Sequence, residues 1–100
     1  MARGDVIGSL QTINASSSYT VQPGSGVEWV IKCFGGDNTD DSLLEAYDGT
    51  STVIIIRGLD AESTAGQITL PINNSLYARM RNSNSGGAGR ASYHGYITKD

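Results

Sequence analysis

The segment Asp37-Asn38-Thr39-Asp40-Asp41 contains the residues of this chain best suited to bind a metal. Carboxylate and amide oxygens clustered in a loop flanked by glycine are ligands that Ca²⁺ prefers. The segment lacks the ligand order of an EF-hand and the glutamate that closes such a loop. Because polar residues between two strands ordinarily form a solvated loop, the sequence predicts no bound metal and no cofactor.

Nucleophilic chemistry is considered first at Cys33 and His94, the only cysteine and the only histidine, because no serine lies in a nucleophile-elbow context. Cys33 continues the alternation of Trp29 and Ile31, so its side chain is predicted to lie in the core and that of Phe34 on the outer face. The sequence supplies no positioned partner for His94, which a general base requires. We therefore expect a protein that is not an enzyme. A single cysteine also excludes an intrachain disulfide and favours assembly in a reducing cytoplasm.

The charge of the chain disfavours nucleic-acid binding. The formal net charge is −3, and the seven basic residues are scattered rather than gathered in a stripe. Only Arg79 and Arg81 are close together, on one face of a predicted strand, and a phosphate site generally uses more contacts than two. The longest apolar run, 53–56, is too short to cross a bilayer, and the opening residues lack the apolar stretch of a signal peptide. We expect binding to neither nucleic acid nor membrane.

Two tyrosines are candidate contact residues. Tyr77 shares its strand face with Arg79, opposite Ala78 and Met80, and is predicted to lie on the outer face or at an interface. Tyr96 faces away from its apolar neighbours in the last predicted strand. Exposed tyrosines suit a protein interface or a sugar-stacking site, and the sequence does not distinguish the two.

Short β-prone runs, each followed by a turn signal, organise the whole chain. Eight are predicted to be strands: 5–13, 19–22, 27–34, 43–47, 52–57, 66–72, 76–82 and 90–98. Strands at intervals of about ten residues are typical of a β-sandwich or jelly roll. We therefore predict one all-β domain over 1–100, a small antiparallel β-sandwich or jelly roll of about eight short strands, with a short N-terminal arm at about 1–5.

Turn residues predict how the strands are connected. The Asp48-Gly49 step predicts a hairpin with a type I′ turn, which needs positive φ at both central residues. Asn73-Asn74 predicts a second hairpin, since both residues tolerate left-handed φ. A single helical turn is predicted at 59–64, too short to be stable alone.

Several motifs together resemble small structural proteins of tailed bacteriophages. A Gly-Asp-Val-Ile start leads through a Ser-rich turn to a Val-Gln-Pro step. The motifs GVEWVI at 26–31, AYDGT at 46–50, ARMRN at 78–82 and YHGYITK at 93–99 follow. The resemblance spans nearly the whole chain and rests on strand and turn residues. It is to the head decoration, or cement, proteins, which lie on the outside of the capsid.

This resemblance implies a non-enzymatic structural protein that binds the capsid exterior and stabilises the head. It also implies a β-rich homo-oligomer, with a trimer favoured, whose partner is the major capsid protein. The protein would be assembled in the bacterial cytoplasm and would reside on the outer head surface of the virion.

The residues predicted to contact partners combine the N-terminal arm with the exposed strand faces. They are Ala2, Arg3, Asp5, Tyr77, Arg79 and Tyr96. The alternative function is a carbohydrate-binding β-sandwich module of a phage tail or fibre tip. In that alternative, Tyr77, Tyr96 or Phe34 would line a shallow sugar platform, and the segment 37–41 would be available for Ca²⁺.

Overall fold

The computed structural model describes residues 2–36, 42–57 and 64–100. These residues form eight β-strands and no helix: β1 (Val6–Ile13), β2 (Ser18–Val21), β3 (Glu28–Gly36), β4 (Ser42–Tyr47), β5 (Thr52–Arg57), β6 (Thr64–Ile72), β7 (Tyr77–Asn82) and β8 (Gly89–Lys99). The predicted strands are confirmed. They could be predicted because alternating side chains and turn residues are local signals. The segment 37–41 and nearly all of the helical turn predicted at 59–64 lie outside the described residues, and Thr64 begins β6.

The strands form two antiparallel sheets of four. Sheet I has the order β1-β8-β3-β6, and sheet II has the order β2-β7-β4-β5. The pairs β4–β5, β3–β6, β2–β7 and β1–β8 are nested, as in one long hairpin whose tip joins β4 to β5. Rolling that hairpin pairs β8 with β3 and β7 with β4. The predicted sandwich is therefore confirmed, and its strand order is that of a jelly roll.

The hairpin between β4 and β5 is confirmed, but its predicted type I′ turn is wrong. Among the described residues of this connection only Gly49 has positive φ, at 95°. The Asp48 carboxylate accepts hydrogen bonds from the amides of Thr50 (2.9 Å) and Ser51 (2.7 Å). These bonds, that from Ser51 first, hold the pKa of Asp48 below its ordinary value of 3.8. The Asp48 side chain thus closes a loop that is longer than the predicted two-residue turn. The predicted turn would have been closed by backbone hydrogen bonds alone.

The second predicted hairpin, between β6 and β7, is wrong. These strands belong to different sheets, so their connection is a corner of the sandwich. Asn73 still acts as a turn former, because its Oδ1 accepts bonds from the amides of Ser75 and Leu76. Asn74 then fastens the corner to the β2–β3 connection by donating to the carbonyl of Pro23 at 3.1 Å. A local turn signal does not reveal which sheet the next strand joins.

The core lies between the two sheets and draws on every strand except β5 for its buried members. It contains Ile7, Ile13, Val21, Ile31, Phe34, Leu44, Ile72, Ala78, Met80, Ala91, Tyr93 and Ile97. Trp29 packs against this cluster, as its spacing predicts. Burial also raises the pKa of the Tyr93 phenol, with a smaller contribution from Tyr19. Where a strand is regular, its alternate residues form the outer face.

A β-bulge in β3 overturns two predictions of side-chain direction. Ile31 pairs with Gly95 of β8 and Cys33 with His94, so β3 has one residue more than β8 at this point. The extra residue reverses the alternation. Phe34 therefore lies in the core, 1% exposed, and Cys33 is half-exposed on the outer face. The predicted side-chain directions of Cys33 and Phe34 are therefore both wrong, because strict alternation takes no account of an extra residue in the strand.

Asn82 fastens two connections, β1–β2 and β7–β8, from inside the sandwich. Its side chain is 2% exposed, and its amide donates to the carbonyls of Ile13 and Gly87, each at 3.0 Å. Its Oδ1 accepts from the amide of Asn84 at 3.0 Å. These bonds stabilise the folded state, because a buried carbonyl left without a hydrogen-bond donor lowers the free energy of unfolding.

Candidate binding surfaces

The residues predicted to contact partners lie in two separate places. Tyr77 and Arg79 lie on the outer face of sheet II. Tyr96 lies on the outer face of sheet I, and Ala2, Arg3 and Asp5 lie beside the end of β8. Because the core separates the two sheets, these residues form two surfaces rather than one.

On the outer face of sheet II, Glu45 is buried beneath two arginines. Its side chain is 1% exposed, although it points away from the core. Arg79 Nη2 donates to Glu45 Oε1 and Arg81 Nη1 donates to Glu45 Oε2, both at 3.2 Å. One carboxylate therefore contacts two guanidinium groups, so this group of three side chains carries a net positive charge. We call Arg79 and Arg81, which share the Glu45 carboxylate, the arginine pair.

Aromatic contacts hold Arg79 in place. Its guanidinium carbon lies 3.9 Å from the centroid of the Tyr47 ring, which is the geometry of a cation–π contact. Arg79 Nη2 also donates to the Thr52 hydroxyl at 3.1 Å. Tyr47 packs edge to face against Tyr77, with ring centroids 5.5 Å apart. Arg79 is thus fixed by three neighbours.

Glu45 was not among the predicted contact residues. It lies within the run SLLEAY, whose leucines suggest a buried strand and conceal the alternation of Leu43, Glu45 and Tyr47. Those three residues are the register partners of Arg81, Arg79 and Tyr77. The pairing of β4 with β7, which brings Glu45 beside Arg79, has no signal in the sequence of either strand.

The N-terminal segment is tethered to β8. Gly4 N donates to the carbonyl of Ile97 at 2.7 Å, and Ile97 N donates back to the carbonyl of Asp5 at 3.0 Å. A turn within the segment joins Asp5 N to the carbonyl of Ala2, and Asp5 Oδ2 accepts from Ala2 N. The side chains of Ala2, Arg3 and Asp5 are exposed on this turn.

The outer face of sheet I is partly apolar. Val6 and Leu10 of β1 are each 77% exposed, and Tyr96, the register partner of Val6, is 41% exposed. Val30 pairs with Tyr96 on its other side and is covered, at 6% exposure. Tyr96 is therefore part of a cross-strand apolar row that continues from Val6.

Strand β5 presents the longest run of exposed apolar side chains in the described chain. Val53, Ile54 and Ile55 are 63%, 45% and 38% exposed. The pairing of β4 with β5 shifts between Leu44 and Glu45, and the extra residue of this bulge is Ile55. Because β5 is an edge strand of sheet II, these side chains adjoin a row of unpaired backbone groups.

The bulge in β3 also brings Cys33 beside His94. Cys33 Sγ lies 3.6 Å from His94 Nδ1 on the outer face of sheet I. An open groove of about 550 Å³ on this face is lined by Lys32, Cys33, Ile68 and Thr69. A thiol next to an imidazole can be alkylated or oxidised and supplies two metal ligands. Within the described residues, no group of three or more His, Cys, Asp or Glu side chains could hold a metal ion.

Comparison with known proteins assigns no family. No protein-family model matches the chain, and a search of curated proteins found no match. None of the described residues belongs to a helix long and apolar enough to span a membrane.

Proposed function

We propose that this chain is a non-enzymatic bacteriophage structural protein that binds the exterior of the capsid and stabilises the head. The motif resemblance supports this proposal, and the apolar run on β5 is the observation that carries it. Val53, Ile54 and Ile55 give the chain an edge suited to contact with another protein.

The edges of the two sheets differ in how well they are protected. β2 is only four residues long, and β6 contains Pro71, which has no backbone N–H to donate. β1 and β5 are less protected, because neither β1 nor the stretch of β5 from Thr52 to Ile56 contains a proline or a charged residue. β5 also carries a bulge, and its exposed apolar side chains are consecutive, at Val53, Ile54 and Ile55. An apolar edge of this kind favours aggregation unless a partner covers it. The capsid surface is the partner that we propose.

Stabilisation would follow from mass action. A protein that binds only the assembled lattice stabilises that state by its binding free energy. Repetition of the contact at each local symmetry site adds to this effect, since neighbouring copies bind with a high effective concentration. We propose a homotrimer on the outer head surface, with the major capsid protein as its partner.

A second contact is proposed at the tethered N-terminal turn. Ala2, Arg3 and Asp5 lie near the start of β1, and Val6 connects that turn to Tyr96 in one cross-strand row. Deletion of 1–5 is expected to weaken capsid binding without unfolding the domain. Since the backbone of this segment bonds to β8, the substitution Arg3→Glu is a milder test of the same surface.

The experiment is rebinding of purified protein to heads assembled by a phage mutant that lacks this gene. Val53→Lys adds a charge to the exposed edge while leaving the core intact, so occupancy is expected to fall with little change in Tm. Thr12→Lys, an exposed position on β1, is the matched control and is expected to bind normally. Full occupancy by the Val53→Lys protein would refute the role of β5.

Carbohydrate binding is the second candidate, favoured by the Tyr47–Tyr77 pair beside Arg79. The proposed platform no longer includes Phe34, which is buried, and Tyr77 and Tyr96 lie on different sheets. A glycan array with the wild-type protein and Tyr77→Ala tests this candidate. Binding of any glycan that Tyr77→Ala abolishes would support it, whereas no binding across the array would exclude it.

A further inference from the structure

We propose that the arginine pair of sheet II is a carboxylate-binding site that receives an acidic side chain of the partner protein. This proposal rests on the proposed function, because it states the chemistry by which the capsid surface would be recognised. It uses a different surface from the β5 edge and is carried by different observations.

The first observation is the imbalance of charge around Glu45. A single arginine would neutralise the buried carboxylate, yet both Arg79 and Arg81 contact it at 3.2 Å. A buried ion pair is often no more stabilising than apolar residues of the same volume. Stability alone therefore does not account for a buried glutamate with two arginines, whereas the positioning of two guanidinium groups side by side does.

The second observation is that the two arginines differ in what they leave free. Arg79 is 23% exposed, and its bonds to Glu45 and Thr52 both use Nη2. Arg81 is 47% exposed, and its only partner among the described residues is Glu45, through Nη1. A guanidinium group has five N–H donors, so Arg81 keeps most of its donors for a ligand. Arg79 holds the Glu45 carboxylate in place, and that carboxylate in turn orients Arg81.

The surroundings of the pair match a singly charged oxyanion. Ser18 and Thr20 of β2 are the register partners of Arg81 and Arg79, and both are exposed. Hydroxyl donors thus border the guanidinium groups on the side away from Glu45. A carboxylate carries the single negative charge that balances the local excess, and guanidinium groups bind carboxylates in a planar fork. An aspartate or glutamate side chain meets both requirements.

The test compares Arg81 variants in the rebinding assay at low and high salt. Arg81→Gln is expected to lower affinity about tenfold at low salt, the loss of one charge-assisted contact. Arg81→Glu should bind more weakly still, because like charges would then meet. Arg81→Lys should retain part of the affinity, since it keeps the charge but loses the fork. The difference between wild type and Arg81→Gln should shrink at high salt. Arg90→Gln, on sheet I, is the matched control.

The outcomes separate this inference from the proposed function. If the wild-type protein binds heads and Arg81→Gln and Arg81→Glu bind equally well at low salt, the inference is wrong and the proposed function stands. If the wild-type protein does not bind heads, the proposed function fails first. If Arg81→Gln abolishes binding to a uronic-acid oligosaccharide but leaves binding to heads unchanged, the site recognises an acidic sugar and the inference is overturned. Circular dichroism of each variant establishes that it is folded.

Discussion

The β3 bulge places Phe34 in the core and Cys33 on the outer face, so substitutions at the two positions should change the free energy of unfolding by very different amounts. The Phe34 ring is 1% exposed in the core, so Phe34→Ala removes a buried ring and leaves a cavity. Substitutions of this kind cost about 3 to 5 kcal/mol. The whole free energy of unfolding of a domain is about 5 to 15 kcal/mol. Each kcal/mol shifts the Tm of a domain of this size by about 4 to 8 °C, so the Tm should fall by about 12 to 40 °C.

Cys33→Ser supplies the matched comparison at the neighbouring position. Cys33 is half-exposed, and its thiol faces His94, so the substitution should cost less than about 1 kcal/mol. The assay is urea unfolding of the two variants and wild type, followed by fluorescence. In addition, the wild-type thiol should react with Ellman's reagent before the protein unfolds. A thiol that reacts only in denaturant, with a costly Cys33→Ser and a nearly neutral Phe34→Ala, would refute the bulge.

Two further predictions concern side chains that close turns. Asn82→Ala should lower the free energy of unfolding, measured in urea, by about 2 to 4 kcal/mol, because the carbonyls of Ile13 and Gly87 lose their buried donor. Asn14→Ala, at an exposed position, is the control and should be neutral. Similar losses at both sites would contradict this role of Asn82. The depressed pKa of Asp48 means that its contribution to stability is present above its ordinary pKa of 3.8 and is lost as the pH falls through the folded-state pKa. Asp48→Asn should therefore weaken the acid dependence of the urea midpoint, and an unchanged acid profile would exclude Asp48 as its source.

Much of the fold was predictable because its signals are local. The alternation of Ala78 and Met80 against Tyr77 and Arg79 indicated which residues of β7 face the core, and the structure agrees. The turn residues after each strand located the ends of the strands. Both signals depend only on neighbours within a few residues, so one sequence is enough to detect them.

The errors arose where the outcome depends on distant parts of the chain. The β3 bulge is defined by the register of β3 against β8, and that register is not encoded in β3 alone. Asn73 forms its turn as expected, yet β7 joins the other sheet because its partners are β2 and β4. The arginine pair could not be predicted for the same reason. Arg79 and Glu45 are far apart in the chain and meet only through the pairing of β7 with β4.

The most direct test of the central proposal is the copy number of this chain in purified virions of the phage that we propose encodes it. Quantitative mass spectrometry against the major capsid protein gives that number. A near-stoichiometric ratio to the capsid protein is predicted, because a decoration protein occupies repeated sites on the head lattice. Only a few copies per particle would favour the carbohydrate-binding alternative at the tail or fibre tip. Absence of the chain from the particles would contradict the account.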